Sequence, residues 1–335
     1  MTPVISVSNL KKYYQVFDKE PGLWGSIKSL WLRRYRDVRA IQDISFSIKE
    51  GELVGFIGPN GAGKTTTLKV LSGLLFPTSG NVQVSGFIPW ERRDEFLKKI
   101  TLVMGQKNQL WWELPAIDTF LVNRAVYEIP KSEFETTVSE LAKLLDVKNL
   151  LLTPVRKLSL GQRMKMELIA ALVHKPKVLF LDEPTIGLDV VMQQTLRDFV
   201  KEYNRQYHAT IILTSHNMGD VKELAERVII IHGGSIIFDG KLDQIVHRFA
   251  KHKEIRVIFS EDVDQEELSN LLQEIPAVGN VLDFNFPKAI ISVKREAAPI
   301  AASQILQGFP VADLTIEEES IEDIIREVFR GKKVK

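Results

Sequence analysis

Two short stretches of this chain gather residue types that handle phosphate. The first, Gly58-Pro59-Asn60-Gly61-Ala62-Gly63-Lys64-Thr65-Thr66, lies between two apolar runs. Its spacing satisfies G-x-x-x-x-G-K-[ST] through Gly58, Gly63, Lys64 and Thr65. Glycines let the backbone curl so that successive N–H groups point inward at phosphate oxygens. A helix opening at Lys64 adds its dipole and its unpaired donors. Lys64 can then reach the β- and γ-phosphates of a nucleotide, and the Thr65 hydroxyl can ligate Mg²⁺. The second stretch, Val178-Leu179-Phe180-Leu181-Asp182-Glu183, is an apolar run that ends in two carboxylates. Asp182 can hold the same Mg²⁺, directly or through water. Glu183 follows where it can orient or deprotonate an attacking water.

Such residues need a scaffold. Residues 4–8, 44–48 and 52–57 alternate or run apolar over short lengths and read as strands. Residues 64–74 read as a helix, 81–84 as a short strand, and helical patterns dominate from 115 to 174. Strands over 178–181 and 210–214 flank a helix near 190–206. Strand–helix alternation with continuously apolar strands predicts a largely parallel α/β sheet covered on both faces. From residue 253 the order becomes βαββαβ: strands at 253–259, 280–286, 289–294 and 311–316, helices at 264–274 and 298–307. This pattern predicts a small α+β domain of ferredoxin-like type, closed by a helix near 320–330.

The chain has 335 residues, 44% hydrophobic and 26% charged, and a net charge of +1. That length suits one large domain and a smaller one. The charge gives no electrostatic footprint for nucleic acid. The absence of cysteine excludes disulfides, zinc–thiolate sites and thiol catalysis, and fits a reducing cytoplasm. The N-terminus lacks the order of a signal peptide. No apolar run approaches the roughly 18 to 20 residues of a membrane helix, so no span is expected.

Between the two phosphate-handling stretches lies Leu158-Ser159-Leu160-Gly161-Gln162, which resembles the LSGGQ signature of ABC ATPases. The resemblance extends over residues 4–240. Asp182-Glu183-Pro184-Thr185 is followed by Gly187-Leu188-Asp189, similar to the D-loop of that family. Thr214-Ser215-His216 is similar to its switch-histidine segment, and Gln106 to the glutamine that opens its helical subdomain. Tyr14 falls where an aromatic ring stacks on adenine, with Tyr13 as a substitute. Two departures stand out. Leu160 replaces a signature glycine, and Gly105 is an extra residue before Gln106; with Ser159 and Gly161 kept, the resemblance implies retained function.

The resemblance implies a P-loop ABC ATPase domain with a RecA-like core, a helical subdomain and an antiparallel β part. In that family two such domains pack head to tail around ATP. Carried over, Gly58, Asn60, Gly61, Gly63, Lys64, Thr65 and Thr66 bind phosphates in cis, and Ser159, Gly161 and Gln162 touch the γ-phosphate in trans. Thr65, Asp182 and Gln106 surround Mg²⁺. Glu183, His216 and Gln106 serve hydrolysis, with His216 sensing the γ-phosphate, and Asp189 bridges the dimer. One set per chain implies a second ATPase subunit, most simply a homodimer, with a heterodimer as the alternative. It also implies a separate integral-membrane permease, and so a peripheral position on the cytoplasmic face of the plasma membrane. Domain limits of 1–245 and 250–335 follow, with the helical subdomain over 107–175.

Three further segments bear on function. Within an insertion at 15–39, Leu23, Trp24, Ile27, Leu30, Trp31 and Tyr35 recur at helical spacing beside Lys28, Arg33, Arg34, Arg36 and Arg39. This predicts an amphipathic cationic helix that packs either on membrane or permease or on the chain's own sheet. Trp111 and Trp112 suit an interface anchor for the permease or a core. The tail Ile321-Glu322-Asp323-Ile324-Ile325 resembles that of ABC-2-type exporter ATPases of the drug, viologen or polymer group. An exporter ATPase is therefore the leading expectation. The alternatives are an importer ATPase, a soluble ABC protein and a non-catalytic scaffold.

Overall fold

The computed structural model describes residues 3–17, 35–105, 109–215, 217–250, 252–274, 279–319 and 321–329. The chain divides into two units, Met1–Gly240 and Lys241–Lys335.

In chain order the first unit runs β1 (Ile5–Phe17), β2 (Tyr35–Ile48), β3 (Leu53–Ile57), α1 (Lys64–Leu71), β4 (Ser79–Val84), α2 (Asp94–Leu97) and β5 (Ile100–Met104). Helices α3 (Ala116–Val126), α4 (Lys131–Leu144) and α5 (Leu160–Leu172) follow. Then come β6 (Val178–Asp182), α6 (Val190–Tyr207), β7 (Thr210–Ser215), α7 (Met218–Leu224), β8 (Arg227–His232) and β9 (Ser235–Lys241). The main sheet has the order β5-β6-β7-β3-β8-β9, parallel from β5 to β8. A second sheet, β2-β1-β4, is antiparallel.

The continuously apolar strands are explained by two cores. Leu179, Leu181, Ile211 and Leu213 pack with Phe120, Leu141, Ile169 and Tyr203 of the helical layer. Their neighbours along the strands, Val178, Phe180 and Ile212, pack on the other face with Leu68 and Leu71 of α1 and with Ile5, Ile41 and Ile44 of the antiparallel sheet. Side chains alternate across a strand, so a sheet buried on both faces favours apolar residues at successive positions.

Four elements differ from the sequence expectation. β1 does not stop at residue 8. Asn9 takes φ 49°, its N–H bonds Ser45 Oγ at 2.8 Å, and register shifts carry the strand past the bulge to Phe17. A bulge adds a residue and destroys the period of two on which strand recognition depends. β5 and β9 were not expected as strands. The helix expected over 15–39 is not what its ends form: Gln15, Val16 and Phe17 pair with Asp37, Arg36 and Tyr35 as antiparallel strand. Tyr35 thus belongs to β2, while Leu23, Trp24, Ile27, Lys28, Leu30, Trp31, Arg33 and Arg34 lie outside the described residues.

The second unit opens with α8 (Leu242–Phe249) and continues β10 (His252–Phe259), α9 (Gln265–Glu274), β11 (Asn280–Asn285), β12 (Lys288–Lys294), α10 (Ala298–Gly308), β13 (Val311–Glu318) and α11 (Ile321–Phe329). Its antiparallel sheet has the order β11-β12-β10-β13, the ferredoxin-like arrangement of a βαββαβ chain. Ile255, Val257, Phe259 and Ile291 of the sheet pack with Leu268 and Leu272 of α9 and Ala301 and Ile305 of α10. Among the described residues, no helix is long and apolar enough to cross a membrane.

Ile291 is fully buried at the centre of that small core. Ile291→Ala is expected to cost about 2–5 kcal/mol, read as a lower urea midpoint for the transition of this unit; a loss below about 0.5 kcal/mol would show that β12 does not anchor it.

Candidate active site

β3 leaves the sheet at its C-terminal edge, where α/β folds hold their ligands. The chain must turn at once into α1, and Gly63 makes that turn at φ 109°. A Cβ there would lie 2.5 Å from the Ala40 carbonyl oxygen, so no other residue fits. The loop folds over Lys64, whose side chain is only 5% exposed. Its Nζ donates to the carbonyls of Gly58 at 2.6 Å and Pro59 at 3.2 Å, and stands 3.9 Å from Glu183 Oε1.

β6 lies beside β7, with Asp182 in register with Thr214. The Thr214 hydroxyl donates to Asp182 Oδ1 at 2.7 Å. From the opposite side Thr65 Oγ1 donates to Asp182 Oδ1 and Oδ2 at 3.1 and 2.9 Å. Glu183 breaks from the strand at φ 51°, a left-handed value that disfavours side chains with a Cβ. Thr214 holds it there, since the Glu183 N–H donates to both Thr214 O and Thr214 Oγ1 at 3.1 Å. Gly105 completes the pinch: a Cβ on it would lie 2.2 Å from the Glu183 carbonyl oxygen. This close approach accounts for the extra glycine ahead of Gln106.

A cavity of about 590 Å³ opens above these groups. It is lined by Tyr14, Val38, Ala40, Asn60, Gly61, Gly63, Lys64, Thr65, Thr66, Glu183 and Ile186. Tyr14 is paired with Val38 across the β1–β2 ladder, which places its ring on the same wall. Eight of the sequence-predicted site residues thus meet at one cavity, with Gly58 and Asp182 bonded to them from beneath. Ser159, Gly161, Gln162 and Asp189 are not among the lining residues. The Ser159 Oγ accepts from the Gln162 N–H at 3.2 Å and Gln162 Oε1 accepts from the Ser159 N–H at 3.0 Å, a reciprocal cap on α5. Asp189 caps α6 by accepting from the Met192 N–H at 2.8 Å. Gln106 and His216 lie outside the described residues.

Thr214, Val38 and Ala40 were missed as site residues. Thr214 stands out in the sequence only as part of the segment before His216; Val38 and Thr214 reach the site through strand register. Trp111 and Trp112 sit in a turn, 48% and 49% exposed, and the buried residue of that stretch is Leu110. The buried carboxylate of Glu167 pins the segment to α5 by accepting the N–H groups of Gln109 and Leu110 at 2.9 and 3.2 Å. One turn earlier on α5, the Arg163 guanidinium lies over the Trp112 ring at 5.5 Å.

Residues 41–186 match the ABC transporter family model, and residues 251–317 match the C-terminal domain of EvrA-like ABC transporters. The ABC transporter ATP-binding protein NatA of Bacillus subtilis is 32% identical over 231 residues, covering 68% of this chain and 93% of NatA. The bacitracin transport ATP-binding protein BcrA of Bacillus licheniformis is 26% identical over 303 residues, 89% of this chain and 95% of BcrA. Among solved structures, the dimeric ATP-binding cassette MJ0796 bound to ADP and Pi shares the fold. Its TM-score is 0.58 at 24% identity, over 71% of this chain and 98% of that one. The fold and the phosphate-handling cavity are those of an ATP-hydrolysing nucleotide-binding domain. This chain belongs to the ABC transporter family, as an ATP-binding subunit.

Burial lowers the pKa of Lys64, against the upward pull of the Glu183 and Asp182 carboxylates. Its ammonium in the free protein is therefore lost below the ordinary lysine value of about 10.4. Phosphate binding needs the charged form, so ATP affinity is expected to fall as pH rises through that lowered pKa. Fluorescence titration with an ATP analogue between about pH 7 and pH 10 measures this; a profile flat until the ordinary lysine range would contradict it.

Proposed function

We propose that this chain powers an ABC-2-type exporter, driving a separate membrane permease through ATP-dependent closure of a homodimer at the cytoplasmic face of the plasma membrane. The observation that carries the catalytic part is the split of the site. Lys64, Thr65 and Glu183 surround one cavity, whereas Ser159, Gly161, Gln162 and Asp189 stand outside it. Such a half-site calls for a second copy that presents its α5 N-terminus to the nucleotide. Exposed Leu160, Val190 and Val191, at 46%, 76% and 76%, flank Ser159 and Asp189 and supply apolar surface for that contact.

Within the closed dimer, Tyr14 stacks on adenine, and the backbone from Asn60 to Thr66 with Lys64 holds the phosphates. Thr65 and Asp182 fit a magnesium ion, because a hydroxyl and a carboxylate already meet at 2.9 Å and are hard oxygen donors. Among the described residues no cluster of three or more acidic or histidine ligands exists, so these two would share the ion with phosphate oxygens. Bound there, Mg²⁺ neutralises charge on the phosphates. Glu183, beside Lys64 and rigidly held by Thr214, orients the attacking water and takes its proton. Gln106 and His216 complete the γ-phosphate surroundings, and Ser159, Gly161 and Gln162 contact it from the second copy. The half-exposed Trp111 and Trp112 offer aromatic anchors to the permease. Export as the direction is supported by the tail that resembles ABC-2-type exporter ATPases.

Glu183→Gln is expected to bind ATP normally, turn over about 10²–10⁴-fold more slowly and accumulate as dimer on gel filtration. Near-normal turnover would remove Glu183 from the hydrolytic role. Purification of the tagged chain from native membranes in detergent, with mass spectrometry of bound proteins, tests the transport part. A stoichiometric multi-span polypeptide of exporter type supports it; an importer permease or only soluble proteins would refute it.

A further inference from the structure

Asp220 of α7 is fully buried and belongs to no part of the nucleotide cavity. A carboxylate without solvent must have its charge compensated and its oxygens filled. Three donors do so, each from a different element. Arg197 NH1 of α6 reaches Asp220 Oδ1 at 2.8 Å. The Thr185 hydroxyl donates to Oδ2 at 2.6 Å, and the Ser215 hydroxyl donates to the same oxygen at 2.9 Å. Arg197 is itself held by Gln194 Oε1 at 2.8 Å.

The identity of the two hydroxyls matters. Thr185 lies two residues after Glu183, and Ser215 directly follows Thr214. Thr214 already fixes the Glu183 N–H and the Asp182 carboxylate. Glu183 holds a left-handed φ of 51°, which a residue with a Cβ keeps only where its surroundings over-determine it. Thr214 restrains that residue from its N-terminal side. The Thr185–Asp220 bond restrains the turn on its C-terminal side. Both restraints close on one corner, because Ser215 ties the β7 end to the same Asp220 oxygen.

We infer that Asp220 is a positioning residue for hydrolysis: through Thr185 and Ser215 it locks the turn behind Glu183 to the end of β7 and so sets where the Glu183 carboxylate stands. It touches no substrate, so it governs turnover and not nucleotide affinity. The inference rests on the assignment of Glu183 to hydrolysis.

Thr185→Val keeps the side-chain shape and removes the hydroxyl. In the full chain with Mg²⁺ and ATP, kcat is expected to fall roughly tenfold or more, with analogue affinity within about twofold of wild type. Thr185→Ser restores the donor and is expected to restore turnover. Unchanged kcat in Thr185→Val, affinity lost in step with turnover, or no rescue by serine would each overturn the inference. A double-mutant cycle with Glu183→Gln separates the two assignments. If Glu183→Gln alone turns over normally, the role of Glu183 fails. If Glu183→Gln blocks turnover, Thr185→Val is expected to add little in that background under single-turnover conditions. The full factor appearing again would show that Thr185 acts independently of Glu183 and would reject the positioning role.

Discussion

A lysine ammonium buried to 5% exposure must be surrounded by oxygen, and Lys64 takes its oxygens from the loop that precedes it. Desolvation opposes the charge, and the nearby carboxylates of Glu183 and Asp182 oppose desolvation. That balance organises the site. The loop must curl far enough to aim the Gly58 and Pro59 carbonyls at Nζ. The carboxylates must sit together at the C-terminal end of β6, close enough to be felt. A phosphate entering the cavity then meets a cation held in place before it arrives.

The rest of the first unit serves to hold those carboxylates. The parallel order β6-β7-β3 sets Asp182 beside Thr214 and both beside the start of α1. Burial of the sheet on both faces leaves these strands little freedom, since Phe180 and Leu181 are locked into opposite cores. The strained Glu183 conformation exists because Gly105, Thr214 and the Asp220 corner leave it no alternative. On the proposed role of Glu183 in hydrolysis, such rigidity would serve the chemistry, because a general base displaced by an ångström loses much of its effect.

The signature segment has a different character. Ser159 and Gln162 satisfy one another at the α5 N-terminus, and Leu160 stands half-exposed beside them. The same helix grips the Trp111–Trp112 segment through Glu167 and Arg163. One helix thus carries an exposed, self-satisfied cap at its N-terminus and holds an aromatic surface turn near its middle.

How much of this was legible beforehand follows from range. The phosphate loop could be read because nine consecutive residues carry both its backbone donors and its lysine. The strand ending in Asp182-Glu183 could be read because two-sided burial forces a continuous apolar run, and the βαββαβ order of residues 252–318 because each element keeps its own period. Tertiary structure decided the remainder. Tyr14 lies on the cavity wall only because a bulge at Asn9 carries β1 on to meet Val38. Thr214 touches Asp182 only because β7 lies beside β6. Thr185, Ser215, Arg197 and Asp220 meet although 35 residues separate Thr185 from Asp220. Local spacing encodes hydrogen-bond donors along one turn of chain. Strand order, bulges and register are settled by the packing of distant segments, and no periodicity within a segment records them.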